Sequence, residues 1–97
     1  MTDTMYALTF DTARDGWATS TGLVKERVAR PTLGAGDEAS VLIRVKYAGF
    51  CGSDRGIWWR KAFGDMIEHS LVEEGKSTRV VGHELLGEIV EVGSRVT

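Results

Sequence analysis

The sequence runs to 97 residues, enough for one domain or part of one, with a modest core that buries about 60–65% of the unfolded surface. Its 12 basic and 14 acidic residues give a net charge of −2, and no basic run or stripe marks a surface for nucleic acid or an anionic membrane. No apolar stretch approaches bilayer length, and a single cysteine cannot form an internal disulfide, so a reduced, cytoplasmic setting is expected.

Met1-Thr2-Asp3-Thr4 has no basic n-region and no apolar h-region, so no secretory signal is read there. Residues 5–10 read as a first strand. Residues 11–20, with Gly16, read as a loop. Residues 23–29 alternate as a second strand, with Val24, Glu26 and Val28 on one face and Leu23, Lys25 and Arg27 on the other. Residues 31–40 hold Gly34, Gly36 and Asp37 and are turn-rich. Residues 41–47 give the clearest strand: Val41, Ile43, Val45 and Tyr47 share a face, opposite Arg44 and Lys46.

The period then changes. Trp59, Ala62, Phe63, Met66 and Ile67 fall on one helical face, and Gly64 splits the stretch. Asp65 with Glu68 has capping-box spacing, and Gly75 is a natural stop. One short helix is expected near residues 53–63 and another near 66–74. Val80-Val81 and residues 86–93 complete the β pattern. The chain closes on Ser94-Arg95-Val96-Thr97 directly after a strand, which suggests a cut inside a larger architecture.

The chemistry concentrates in Cys51-Gly52-Ser53-Asp54 and Gly82-His83-Glu84. One thiolate, one imidazole and two carboxylates are ligand types of a catalytic zinc, which keeps three protein ligands and one open position. Gly49 and Gly52 allow a sharp turn that places a thiol at a strand end. Ser53 is suited to cap the following helix, and both a helix N-terminus and a metal lower a thiol pKa. Each residue also has a plain alternative. Cys51 suits a buried core position beside a capping serine. Asp54 suits an ordinary helix N-terminal acid, and Glu84 a solvated surface carboxylate. His69 is expected to face solvent, Trp58 and Trp59 to pack or to line a pocket, and Arg55 to be a surface charge or a contact for a cofactor phosphate.

In combination, Gly-Phe-Cys-Gly-Ser-Asp and the downstream Val-Val-Gly-His-Glu-x-x-Gly-x-Ile-Val-Glu-Val-Gly-Ser resemble the N-terminal catalytic domain of the zinc-dependent medium-chain dehydrogenases. That family includes zinc alcohol, polyol, threonine and glucose dehydrogenases. The resemblance implies a mainly β fold, a GroES-like, partly open and mainly antiparallel β-barrel with one or two short helices. It implies that residues 1–97 are the first part of that catalytic domain, with a separate Rossmann domain for NAD or NADP absent from this chain. By position, Cys51 and His83 would be zinc ligands, and Glu84 would sit beside the metal as an exchangeable ligand. Asp54 would hold the metal-bound histidine through its second ring nitrogen. Ser53 would hydrogen-bond the substrate hydroxyl and pass its proton outward. Gly82 and Gly87 would let the His-Glu segment approach closely. The partner would be a small alcohol, polyol or sugar, with no nucleic acid and no membrane, and the complete enzyme would be a homo-oligomer.

The departures carry information too. Cys51 and His83 lie 32 positions apart, longer than the family pattern, with the excess in residues 58–78. No histidine follows Asp54 in Arg55-Gly56-Ile57, so a proton relay would end at Ser53 and water. Asp54-Arg55-Gly56-Ile57 is closer to the glucose dehydrogenase branch, which favours sugar or polyol substrates. The chain has no third zinc ligand downstream, no four-cysteine lobe and no Gly-x-Gly-x-x-Gly turn. Alone it is expected to be inactive. The alternative is a stand-alone GroES-like barrel used for binding or assembly.

Overall fold

The computed structural model describes residues 3–97; Met1 and Thr2, and the signal reading made on them, lie outside the described residues. Alternating apolar and polar residues form β1 (Thr4–Asp11), β2 (Val24–Ala29) and β3 (Val41–Gly49). Two helices follow, α1 (Gly52–Trp58) and α2 (Gly64–Glu74), then β4 (Thr78–Val80) and β5 (Glu84–Val92). The strands make two antiparallel sheets, β2-β1-β4 and β3-β5, which do not close into a barrel. The fold is thus mainly β with two short helices, as the family resemblance implied. The two sheets enclose an apolar cleft of about 650 Å³ between them.

The buried core lies beside the three-stranded sheet. Phe10 from β1 and Ile67 and Leu71 from α2 form it, with Trp17, Leu23, Ile57 and Val81 packed around them. Ile67 and Leu71 are one helical turn apart, so α2 presents both to Phe10. Trp17 meets Phe10 edge-on, with centroids 5.6 Å apart. A polar clasp holds the Asp11 loop. Thr78 Oγ1 donates to Asp11 Oδ2 at 2.6 Å, and Arg14 donates to Asp15 and Glu26. Thr78 and the Ala13 N–H hold the Asp11 carboxyl below its ordinary range, and Arg14 does the same for Asp15.

Several sequence expectations need correcting. The first helix ends at Trp58, not at Phe63, because Arg60 and Phe63 take left-handed φ values of 58° and 71°. The Arg60 guanidinium secures that break: it donates to the Ile57 carbonyl at 2.7 Å and to Ser20 Oγ at 3.1 Å, and lies 4.8 Å from the centre of the Phe10 ring. Helical phase is lost across the break, so the expected apolar face does not persist. Ile67 is buried, while Met66, Trp59 and Phe63 are exposed. The Asp65–Glu68 capping box does not form either, since α2 begins at Gly64 with Phe63 as its N-cap. Gly75 does end α2, in the left-handed conformation. In β3 the register slips between Val45 and Tyr47, leaving Lys46 as a bulge and breaking the strict alternation expected over 41–47. β4 begins at Thr78, and β5 begins at Glu84, earlier than the pattern suggested.

Candidate metal centre

The pairing of β3 with β5 builds the site. Gly49, the last residue of β3, is paired with Glu84, the first of β5. The chain leaving β3 therefore passes the chain arriving at β5. Phe50 and Cys51 continue from β3, and Val81-Gly82-His83 lead into β5. Gly82 has φ 116°, a conformation open to glycine and strained for other residues, and it turns the chain so that His83 faces Cys51. Gly87 lets β5 press against β3, because a Cβ there would meet the Arg44 carbonyl oxygen at 2.5 Å. The long sequence separation is closed by this pairing: Cys51 Sγ lies 3.2 Å from His83 Nε2.

Ser53 Oγ lies 2.9 Å from Cys51 Sγ and 3.4 Å from His83 Nε2. Ser53 does not cap α1 as expected. Gly52 is already helical, so the N-cap is Cys51. Asp54, three residues on, turns back and accepts the Cys51 N–H on Oδ2 at 3.1 Å. Its Oδ1 lies 3.6 Å from His83 Nδ1, too long for a hydrogen bond, and has no hydrogen-bond partner among the described residues. Asp54 is 2% exposed, so an unpaired oxygen there carries a desolvation cost. Asp54 thus touches both of the other groups, gripping the Cys51 backbone and facing the ring of His83. The sequence offered Asp54 as either a helix N-terminal acid or the partner of the histidine, and it stands in both places; its grip on the Cys51 backbone follows from the Cys51–Asp54 spacing of a capping box.

Donor atoms of Cys51, Asp54 and His83 all lie within 4.8 Å of one another. The set is one sulfur, one imidazole nitrogen and one carboxylate, a combination suited to zinc. Because Nδ1 faces Asp54, Nε2 is the nitrogen left beside the thiol. The buried, unpartnered Asp54 Oδ1 fits a histidine whose Nδ1–H it would accept once Nε2 is engaged. The residues therefore fit a zinc ion. Cys51 is half-buried and His83 is exposed, which leaves one side of the cluster open.

Glu84 does not join this cluster. Its side chain lies against Gly49, and it lines the cleft between the sheets. Trp58 packs: its ring meets Phe50 edge-on with centroids 6.4 Å apart, and its carbonyl accepts the Gly22 N–H at 2.8 Å. Trp59 and Arg55 are exposed. His69 faces solvent beside Glu73, 3.2 Å away.

Residues 37–97 match the family model of the alcohol dehydrogenase GroES-like domain. The chain belongs to that family, the GroES-like part of the medium-chain alcohol dehydrogenases. Among curated proteins it is similar to L-threonine 3-dehydrogenase of Sinorhizobium fredii (strain NBRC 101917 / NGR234), 46% identical over 77 residues, which cover 78% of this chain and 19% of that protein. It is also similar to the L-threonine 3-dehydrogenase of Chelativorans sp. (strain BNC1), 42% identical over 77 residues, again 78% of this chain and 19% of that protein. A protein named probable D-xylulose reductase A, from Aspergillus clavatus, is 41% identical over 68 residues, 70% of this chain and 17% of that protein. The matched stretch thus spans about a fifth of the length of these relatives. No solved structure matches the chain. No helix among the described residues is long and apolar enough to cross a membrane.

Proposed function

We propose that this chain is the first part of the catalytic domain of a zinc-dependent, NAD(P)-dependent dehydrogenase that interconverts an alcohol and its carbonyl. The observation that carries the proposal is the convergence of Cys51, Asp54 and His83 on one point, in the segment that matches the family. Cys51 Sγ and His83 Nε2 would hold the metal, while Glu84, whose side chain lies against Gly49, stands outside this cluster. A bound zinc supplies Lewis-acid polarisation of the substrate oxygen.

The chain's own residues divide the remaining work. Asp54 is too buried to meet substrate, and its role is to fix the Cys51 backbone and the tautomer of His83. Ser53 Oγ, beside both Cys51 and His83, would relay the substrate hydroxyl proton, taking it up as its own hydroxyl proton passes to water. The nicotinamide cofactor, NAD or NADP, would be held by a further domain outside residues 1–97. The relatives' names point to L-threonine and D-xylulose as substrates to test first, and the Asp54-Arg55-Gly56-Ile57 resemblance adds sugars and polyols.

The chain alone and a chimera test this. The 97-residue chain alone is expected to show no turnover, because nothing in it holds a nicotinamide within transfer distance of the site. A chimera joining it to the remaining length of the Sinorhizobium relative is expected to reduce NAD or NADP with one of these substrates. Cys51→Ala in the chimera should remove most of that activity. Turnover by the chain alone, or a Cys51→Ala chimera as active as its parent, overturns the proposal.

A further inference from the structure

Cys51 and His83 come from different elements, and two ties hold those elements together. One is the pairing of Gly49 with Glu84. The other takes a different route through the molecule and passes through Arg60.

α1 has seven residues, too few to be stable on its own. Its first end carries the site: Cys51 is the N-cap and Asp54 lies in the first turn. Its last end is held by Arg60. Nη1 of that side chain donates to the Ile57 carbonyl at 2.7 Å, while Nε and Nη2 both donate to Ser20 Oγ, at 3.2 and 3.1 Å. A cation at that end also complements the helix dipole. The same guanidinium lies 4.8 Å from the centre of the Phe10 ring and 5.5 Å from that of Trp17. Beside it, the Trp58 carbonyl accepts the Gly22 N–H at 2.8 Å. Arg60 thus ties α1 to β1 and to the loop that follows β1. In turn β1 pairs with β4 through Thr9 and Val80, and the Val81 N–H donates to the Leu8 carbonyl at 2.9 Å. His83 follows two residues after Val81. The route from Cys51 along α1, through Arg60 and Phe10 to β1, β4 and His83 is a closed loop of contacts, all made within residues 8–83.

We propose that Arg60 is a positioning residue for the metal centre. α1 is roughly 10 Å long at its usual rise per residue, so Arg60 acts on the donor groups through the helix and not by contact. It fixes the angle at which α1 presents Cys51 and Asp54 to His83. Asp54 depends on that angle, because its Oδ1 faces His83 Nδ1 across 3.6 Å with no hydrogen bond to hold it there. Their spacing is set by where α1 lies. The planar guanidinium suits the task, since one rigid fork reaches the helix carbonyl and Ser20 together. The proposal rests on the reading of Cys51 and His83 as metal ligands.

The test is cobalt(II) titration of the 97-residue chain. The thiolate charge-transfer band reports affinity, and the ligand-field bands report geometry. Circular dichroism fixes an assay temperature below the melt of every variant. Arg60→Met keeps the stem and removes the fork. It should weaken cobalt binding about tenfold, the low end of the loss for groups that support a ligand from behind, and change the ligand-field bands at saturation. Ser20→Ala cuts only the tie to the loop and should give a smaller loss in the same direction. Leu71→Ala controls for stability alone: it removes core packing on α2 and leaves the hydrogen bonds of Arg60 in place, so the folded variant should bind as the parent does. Arg60→Met and Ser20→Ala chains that match the parent in affinity and bands overturn the proposal and leave the metal reading standing. A Leu71→Ala chain that loses as much as Arg60→Met also overturns it, since the effect then belongs to stability. A parent that takes up no cobalt on Cys51 overturns the metal reading and the proposal with it. If Arg60→Met does not fold, Ser20→Ala decides alone, and parent-like binding by it overturns the proposal.

Discussion

Asp54→Asn probes the site most sharply, because it changes charge and donor pattern while keeping shape. In the parent one carboxylate oxygen accepts the Cys51 N–H at 3.1 Å and the other faces His83 Nδ1 at 3.6 Å. An amide has a single acceptor oxygen. Whichever way it turns, its NH2 group meets either the Cys51 N–H or the His83 Nδ1–H, donor against donor. The substitution therefore loses one charge-assisted contact, worth about 1.5–3 kcal/mol. At about 1.4 kcal/mol per factor of ten, that is one to two orders of magnitude in zinc affinity. The range agrees with the loss of about 10–100-fold seen when a partner of a metal-bound histidine is removed. The metal-free fold should suffer less, since the change also removes a buried charge whose Oδ1 has no hydrogen-bond partner. The assay is a zinc competition titration of the 97-residue chain against a chromophoric chelator, with thermal melts of both metal-free proteins. An Asp54→Asn chain that binds zinc as tightly as its parent would refute the role given to Asp54.

Three further outcomes follow from the fold. Gly64→Ala should lower stability by about 1–3 kcal/mol despite better helix propensity, because the new Cβ would meet Trp17 ring atoms at 2.5–2.8 Å; thermal melts check it, with Gly52→Ala, whose Cβ meets nothing within 4 Å, as the near-neutral comparison. Leu71→Ala should cost about 2–5 kcal/mol, since Leu71 is 1% exposed and one of the three apolar residues buried among the described residues; urea unfolding measures this, and a loss well below that range would mean that α2 is not held by this core. Asp11 and Asp15 have carboxyls held below the ordinary value of 3.8, so their contribution to stability is complete above that value and is lost as pH falls through the lower folded values. Urea midpoints taken on the acid side should therefore fall with pH, and Asp15→Asn, which removes one of the two carboxylate partners of Arg14, should make that fall shallower; an unchanged acid slope would rule out the contribution of Asp15.

What the sequence revealed and what it hid divide along physical lines. Strands β1, β2, β3 and β5 were legible because period-2 alternation is a local signal, and α2 was legible at its end because Gly75 stops it, although the apolar face read over residues 59–67 and the Asp65–Glu68 box did not persist. The break at Arg60–Phe63 was not, because it rests on left-handed backbone at two residues without glycine's freedom, secured by long-range contacts of Arg60 with Ser20 and Phe10. The bulge at Lys46 was hidden because register belongs to the pair of strands and not to either one. At the site, the approach of Cys51 to His83 could be expected only from the family resemblance. Nothing in the local pattern of either segment states that Gly49 pairs with Glu84.

That pairing also explains where the site falls in the fold. The core residues Phe10, Ile67 and Leu71 belong to the three-stranded sheet and the helix against it. The candidate ligands lie where the two sheets meet. Cys51 follows β3 of one sheet, and His83 sits on the three-residue link that carries the chain from β4 of the other sheet into β5. Asp54, on α1, holds the Cys51 backbone and faces the His83 ring across that seam. A metal bound by Cys51 and His83 would bridge the same seam, so its binding energy would add to the stability of the sheet arrangement as well as to the chemistry. Ligand placement and sheet placement are then one structural problem, solved by the turn at Gly82 and the close approach at Gly87.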